Sequence, residues 1–172
     1  MTRVFGIAGF KNSGKTTLVV DLIRVLTARD LKVATLKHAH HAFDIDHPGK
    51  DSYLHREAGA SEVLVVSARR MAHICEFDDG GEPDFEAALG RIGDVDLVLV
   101  EGYKYGSHPR LELRRSAIDA PELVGGDAGD SGNGICAIVS DEEIPDAPVP
   151  VLMRSNVDAI ADFILRETGL NV

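Results

Sequence analysis

The sequence predicts a three-layer α/β fold, with a mostly parallel central sheet and helices on both faces. Three observations carry that expectation. Short apolar runs alternate with helical patterns along the chain, as parallel sheets with crossover helices require. The octapeptide Gly9-Phe10-Lys11-Asn12-Ser13-Gly14-Lys15-Thr16 joins the first apolar run to the first helix and fits G-x-x-x-x-G-K-[ST], a phosphate-binding loop. A later run, Asp96-Leu97-Val98-Leu99-Val100, ends in an acid, Glu101, followed by Gly102. The fold expected is therefore that of the P-loop NTPases, and the 172 residues suit a single nucleotide-binding domain with a sizeable core.

The loop's residue types follow from its chemistry. Gly9 and Gly14 let the chain curl so that successive backbone N–H groups of Lys11, Asn12, Ser13 and their neighbours point inward at phosphate oxygens. The positive end of the following helix stands behind them. Lys15 is placed to reach the β- and γ-phosphates, the Thr16 hydroxyl to bind Mg²⁺, and Thr17 to add a hydrogen bond to the α-phosphate. The alternative is a glycine-rich turn that binds nothing, but strand, glycines, lysine and threonine all agree on the functional reading.

The elements follow in order. Val4 to Ala8 reads as the first strand, and Leu18, Leu22, Val25 and Leu26 mark the buried face of the first helix. Leu31 to Lys37 is a second strand. A polar loop from His38 to Ser52 contains a Pro-Gly break, and Asp51 or Ser52 is expected to cap a short helix through Ala58. Ser61 to Ser67 and Arg70 to Phe77 read as strands paired through a tight connection, and Pro83 to Arg91 as a helix. Asp96 to Glu101 is the most strongly buried strand, and Leu111 to Arg114 a short one. Residues 117–134, rich in Gly, Asp and Ala, read as a flexible loop. Ile135 to Ser140 and Val149 to Leu152 are two more strands. The last helix is expected to open at Ser155, with Asp158 three residues on, and to stop at Gly169.

Composition excludes several classes. No stretch of about eighteen uninterrupted apolar residues is present, so a membrane span is not expected, and the N-terminus runs into the first strand without room for a signal peptide. A formal net charge of −10 argues against nucleic-acid binding. Cys75 and Cys136 fit neither a zinc nor a disulfide spacing; both are expected as small core residues, and a reducing cytoplasm as the setting.

Three further positions bear on chemistry. Glu101 closes its strand on the sheet edge where the phosphate loop opens, and is expected to supply a second Mg²⁺ contact, through a metal-bound water. His38, His40 and His41, with Asp44, Asp46 and His47 beyond, admit three readings: a switch loop in which Asp44 or Asp46 touches Mg²⁺ or the attacking water, a transition-metal site, or a solvated polar loop. Guanine is read by an acid at a strand end in many GTP-binding proteins, and Asp141, after Ser140, offers one here, although the Asn-Lys-x-Asp signature is absent.

The segments GFKNSGKTTL, LKVATLKHAHHAFDID, GKDSYLHREAGA and DLVLVEGYK together resemble the molybdopterin-guanine dinucleotide biosynthesis protein B family, over most of the chain up to about Lys104. The K-H-x-H-H run followed by G-K-D-S and R-x-A-G-A is the particular part of that likeness. The resemblance implies a dimeric GTP-binding protein with at most slow GTPase activity. It would assist the partner guanylyltransferase that attaches GMP to molybdenum cofactor, with molybdopterin a further candidate ligand. On this resemblance Gly9 to Thr17 would hold phosphates, Thr16 and Glu101 the Mg²⁺, and His38 to Ser52 would lie near the γ-phosphate or the partner. Residues 117–134 match none of these segments and read as a lineage-specific insertion. Two other functions compete: a metal-inserting maturation GTPase using the His38–His47 loop, and a small-molecule kinase closing Arg69, Arg70, Arg114 or Arg115 over a transferred phosphoryl group.

Overall fold

A computed structural model describes residues 2–39, 43–77, 81–103, 108–118, 123–124 and 134–170. His40, His41, Lys104 and most of the 117–134 segment lie outside the described residues. The elements run β1 (Arg3–Ala8), α1 (Lys15–Ala28), β2 (Val33–Lys37), α2 (Asp51–Glu57), β3 (Glu62–Val66), β4 (Met71–Cys75), α3 (Phe85–Leu89), β5 (Leu97–Glu101), β6 (Arg110–Leu113), β7 (Ile135–Ser140), β8 (Val151–Met153) and α4 (Val157–Glu167). The chain divides into two compact units, residues 1–38 with 87–172, and residues 39–86.

The larger unit holds a six-stranded sheet in the order β2-β5-β1-β6-β7-β8, parallel at every pairing. Side chains alternate across each strand. Phe5, Ile7, Leu97, Leu99, Leu111, Leu113, Ala137 and Val139 thus share one face, packed against Leu18, Leu22 and Leu26 of α1 and Ile160, Ile164 and Leu165 of α4. Val98, Val100 and Ile138 point the other way and are also at most 1% exposed. β5 is buried on both sides with apolar neighbours on each, which is why it reads as a nearly unbroken apolar run. Each of these fully buried aliphatic side chains stabilises the fold by about 1.5–3 kcal/mol.

β1 sits between β5 and β6, and Gly6 permits that position. A Cβ there would lie 2.8 Å from both Arg110 Cβ and His108 Nε2. β6 is not the marginal strand its four residues suggest: all four are buried, and it lies inside the sheet between β1 and β7. Its second face is polar, with Arg110 and Glu112 buried. His108, just before it, has its pKa pushed down to about 4, first by burial and then by the charge of Arg110. The unfolded chain therefore binds a proton at His108, between about pH 6.5 and 4, that the folded chain refuses. Stability should be complete above about pH 6.5 and fall as the pH drops through that window, by at most about 1.4 kcal/mol per pH unit from this group. Urea unfolding of the wild type and His108→Gln across the window checks this; equal slopes for the two would remove the assignment.

Two helix starts differ from expectation. α4 is capped by Asn156, whose Oδ1 accepts the Ala159 N–H at 3.0 Å, rather than by Ser155. One residue decides it: the helix begins at Val157, so Asn156 holds the N-cap position, and its side chain meets the free N–H of the third helical residue. α2 has Lys50 at its N-cap with no side-chain cap, and Ser52 Oγ donates instead to Asp46 Oδ1 at 3.0 Å. At the far end of α4, Gly169 adopts φ 67° and the Leu170 N–H closes onto the Leu165 carbonyl at 2.8 Å.

In the smaller unit β3 and β4 form an antiparallel two-stranded sheet of their own. Val63 is buried, while Leu64, Val66 and Met71 are exposed. Cys136 packs against the main core, but Cys75 stands half-buried on the hairpin rather than in a core. No helix among the described residues is long and apolar enough to cross a membrane.

Candidate functional site: a phosphate loop at the sheet's C-terminal edge

The Gly9–Thr16 segment leaves the end of β1 and enters α1, whose first helical residue is Lys15. Its curl comes from backbone that L side chains rarely adopt: Gly9 has φ 144°, Asn12 φ 67° and Gly14 φ 91°. Gly9 also lies against β6, since a Cβ there would be 2.8 Å from the Leu113 carbonyl and 2.9 Å from Ser13 Oγ. The Ser13 N–H donates to the Phe10 carbonyl at 3.2 Å and tightens the turn.

Gly14 is the N-cap of α1, so no side chain caps the helix, and its first turn carries no acid. The first N–H groups of a helix have no partner inside it, and here they meet a loop built to present an anion site. Lys15 belongs to the helix, where Cα–Cβ bonds tilt toward the N-terminus. Its Nζ accordingly spans the loop and donates to the Phe10 carbonyl at 2.7 Å. Ser13 is 2% exposed and its Oγ has no hydrogen-bond partner among the described residues. A buried hydroxyl with no partner, beside curled backbone and a lysine, fits a phosphate oxygen. Lys11, Asn12, Thr16 and Thr17 are exposed around it.

Glu101 ends β5, the strand beside β1, in register with Ile7. Its carboxylate is 15% exposed and pairs with Lys37 of β2 at 3.5 Å. The separation and the exposure of Lys37, 59%, make this a loose pair that a divalent cation can displace. A threonine hydroxyl and a carboxylate are hard oxygen donors, the set Mg²⁺ takes.

A cavity of about 240 Å³ adjoins the loop, lined among others by Phe10, Ser13, Leu113, Ser140, Glu142 and Ile144. That is somewhat below the roughly 300–1,000 Å³ of sites for drug-sized ligands, and suits one portion of a nucleotide. Asp141 lies in the chain between the lining residues Ser140 and Glu142 but is not itself part of the lining. Its Oδ1 accepts the Ser116 N–H at 3.0 Å, and its Oδ2 lies 3.8 Å from Arg115 Nε. The Ser116 N–H, then the nearby Arg115 charge, holds the Asp141 carboxyl below the usual carboxylate range. The residue thereby stitches the segment after β6 to the end of β7.

Asp46 lies in the smaller unit, inside a cluster that sequence reasoning missed. Arg56 donates to Asp46 Oδ2 at 3.3 Å, to Asp44 at 2.9 Å and to Glu76 at 2.6 Å, while the His47 N–H and Ser52 Oγ donate to Asp46 Oδ1 at 3.0 Å each. Although desolvation opposes it, these donors lower the Asp46 pKa. Glu76 first, then Asp44, raise that of Arg56. The signal was available, because Arg56 is the first residue of the R-x-A-G-A segment, but nothing in the spacing named its partners. Of the arginines considered for a kinase, Arg114 is held by Glu112 Oε2 at 2.8 Å and the Val124 carbonyl at 3.0 Å, and Arg69 and Arg70 are exposed at the turn of the hairpin.

Comparison with known proteins agrees with this geometry. The family model described as molybdopterin guanine dinucleotide synthesis protein B matches residues 4–141. The chain is similar to the molybdopterin-guanine dinucleotide biosynthesis adapter protein of Escherichia coli, 35% identical over 96% of this chain and 93% of that one. It is also similar to its counterpart in Haemophilus influenzae, 39% identical over 69% and 66%. A crystal structure of molybdopterin-guanine biosynthesis protein B shares 29% identity, with a TM-score of 0.72 over 95% of this chain and 97% of that one.

Proposed function

We propose that this chain, which belongs to the molybdopterin guanine dinucleotide synthesis protein B family, is a GTP-binding adapter that assists attachment of GMP to molybdopterin, forming molybdopterin guanine dinucleotide. The observation that carries the reading is the Gly9–Thr17 loop with its uncapped helix and a Ser13 hydroxyl that has no partner among the described residues, in a family whose curated members are named adapters of that biosynthesis.

The phosphates of GTP would lie on Gly9, Lys11, Asn12, Ser13, Gly14, Lys15, Thr16 and Thr17. Thr16 and Glu101 would hold Mg²⁺, which supplies charge neutralisation at the phosphates. The base would enter the cavity beside the loop, where Ser140 and Glu142 flank Asp141. Asp141 is the guanine-selecting candidate, and Asp141→Ala should narrow the preference for GTP over ATP. Hydrolysis is at most slow; Lys15 is the candidate for it on the larger unit, and Asp46 the candidate on the smaller. The setting is the cytoplasm.

The partner is the guanylyltransferase, and molybdopterin is the further ligand. A homodimer is favoured by the β3–β4 hairpin, whose Leu64, Val66 and Met71 are 57%, 65% and 66% exposed on a sheet of only two strands. Light scattering should give twice the chain mass, and Val66→Lys should reduce it to one; a monomeric wild type would dismiss the dimer.

The functional test reconstitutes guanylyltransferase, molybdopterin and GTP with and without this protein. Addition should raise the rate of dinucleotide formation several-fold, and Lys15→Ala protein should not. No stimulation would sink the adapter reading, and phosphorylation of an added acceptor would put the kinase in its place.

A further inference from the structure

The β3–β4 hairpin brings Glu62 of β3 beside His73 and Cys75 of β4. Glu62 is paired with Cys75 and Leu64 with His73. By the alternation of strand side chains, Glu62, His73 and Cys75 share one face, opposite to Val63. His73 Nε2 lies 2.8 Å from Glu62 Oε2 and 3.3 Å from Cys75 Sγ. The three ligand atoms all lie within 4.8 Å of one another.

A single ring nitrogen carries either one proton or one lone pair. Without a metal, the Nε2–H of His73 can be shared between the carboxylate and the sulfur, a weak acceptor. A cation among the three atoms would instead take an electron pair from each of them. We propose that this face of the hairpin binds one divalent transition cation of the zinc class through Glu62, His73 and Cys75.

The donor set selects the class. Thiolate with imidazole and carboxylate is a borderline-soft set, suited to Zn²⁺ and its neighbours, whereas Mg²⁺ and Ca²⁺ take oxygen alone. Zinc bonds of about 2.0–2.3 Å place tetrahedral ligand atoms roughly 3.3–3.7 Å apart. The two separations at His73 need open by only tenths of an ångström, and the Glu62 and Cys75 ligand atoms, within 4.8 Å of each other, adjust through their side chains. Binding converts the Cys75 thiol to a thiolate and releases its proton to solvent. Three protein ligands leave a fourth position for water or for a donor from another molecule. The site is distinct from the His38–His47 loop, which includes residues outside those described, and it does not depend on nucleotide.

The test is titration of the metal-free full chain with Co²⁺, the spectroscopic stand-in for Zn²⁺. The wild type should take up one equivalent with a thiolate-to-cobalt charge-transfer band, displaced by Zn²⁺. Cys75→Ser should abolish that band and weaken binding by about tenfold or more. His73→Asn and Glu62→Gln should weaken binding while the band persists, and Cys136→Ser should change nothing. GTP binding by Cys75→Ser, measured alongside, should equal that of the wild type and serves as the control for folding. Absence of a thiolate band in the wild type, or its survival in Cys75→Ser, would overturn the proposal.

Discussion

Lys15→Ala should weaken GTP binding, measured calorimetrically with Mg²⁺, by one to two orders of magnitude while leaving the fold intact. The ammonium is the one side-chain cation that opens α1 and spans the loop, reaching the Phe10 carbonyl at 2.7 Å. Its position follows from the helix, whose Cα–Cβ bonds lean toward the loop. A charge-assisted hydrogen bond is worth about 1.5–3 kcal/mol, which converts to roughly 10- to 150-fold in affinity. The loop amides and helix end remain in the variant, so residual binding is expected. Lys15→Arg should restore little, because a planar fork does not replace a compact ammonium. Wild-type affinity in Lys15→Ala would remove the phosphate-loop assignment. ATP bound as tightly as GTP by the wild type would withdraw the guanine role from Asp141 and favour the kinase.

The largest effect on stability is expected at Glu112. Its side chain is buried within β6, and its two oxygens accept the Leu123 N–H at 2.9 Å, the Val124 N–H at 3.0 Å and the Arg114 guanidinium at 2.8 Å. Removing the carboxylate leaves two amides and a charged group without the acceptor built for them. Breaking a buried pair from one side costs about 3–5 kcal/mol, a large part of the roughly 5–15 kcal/mol that a domain has in total. Glu112→Ala should therefore shift the urea midpoint far down, or yield little folded protein. Glu112→Gln keeps an acceptor and should recover part of the loss. The same carboxylate borders the cavity beside the phosphate loop, so Glu112→Gln should also loosen nucleotide binding. Unchanged stability in Glu112→Ala would show that these hydrogen bonds are replaced by water without cost.

Much of the molecule is legible in the residues themselves. The phosphate loop is a local motif: glycines for positive φ, a lysine at the first helical position and a threonine after it act within a dozen residues, and spacing alone specifies them. The order of strands and helices follows from periodicity in the same way. The family likeness rested on contiguous segments too, of which R-x-A-G-A contains Arg56, although the residue's three carboxylate partners did not emerge from it.

Other features depend on which strands become neighbours. The strand at 111–114 is expected as a short one, and β6 lies inside the sheet, because Gly6 of β1 admits the bulk of Arg110 and His108 beside it. Nothing in the residue pattern marks Glu112, which is a buried acceptor for backbone brought from 123–124. Cys75 stands two residues from His73 on the same strand, but only antiparallel pairing sets Glu62 beside them. What the sequence alone determined is the phosphate loop, the alternation of elements and the family, since each is written in short-range patterns of residue type. What only the tertiary structure decided is the place of β6, the Arg56 and Glu112 networks and the hairpin triad. Each includes at least one contact between residues whose separation along the chain carries no information about their distance in space.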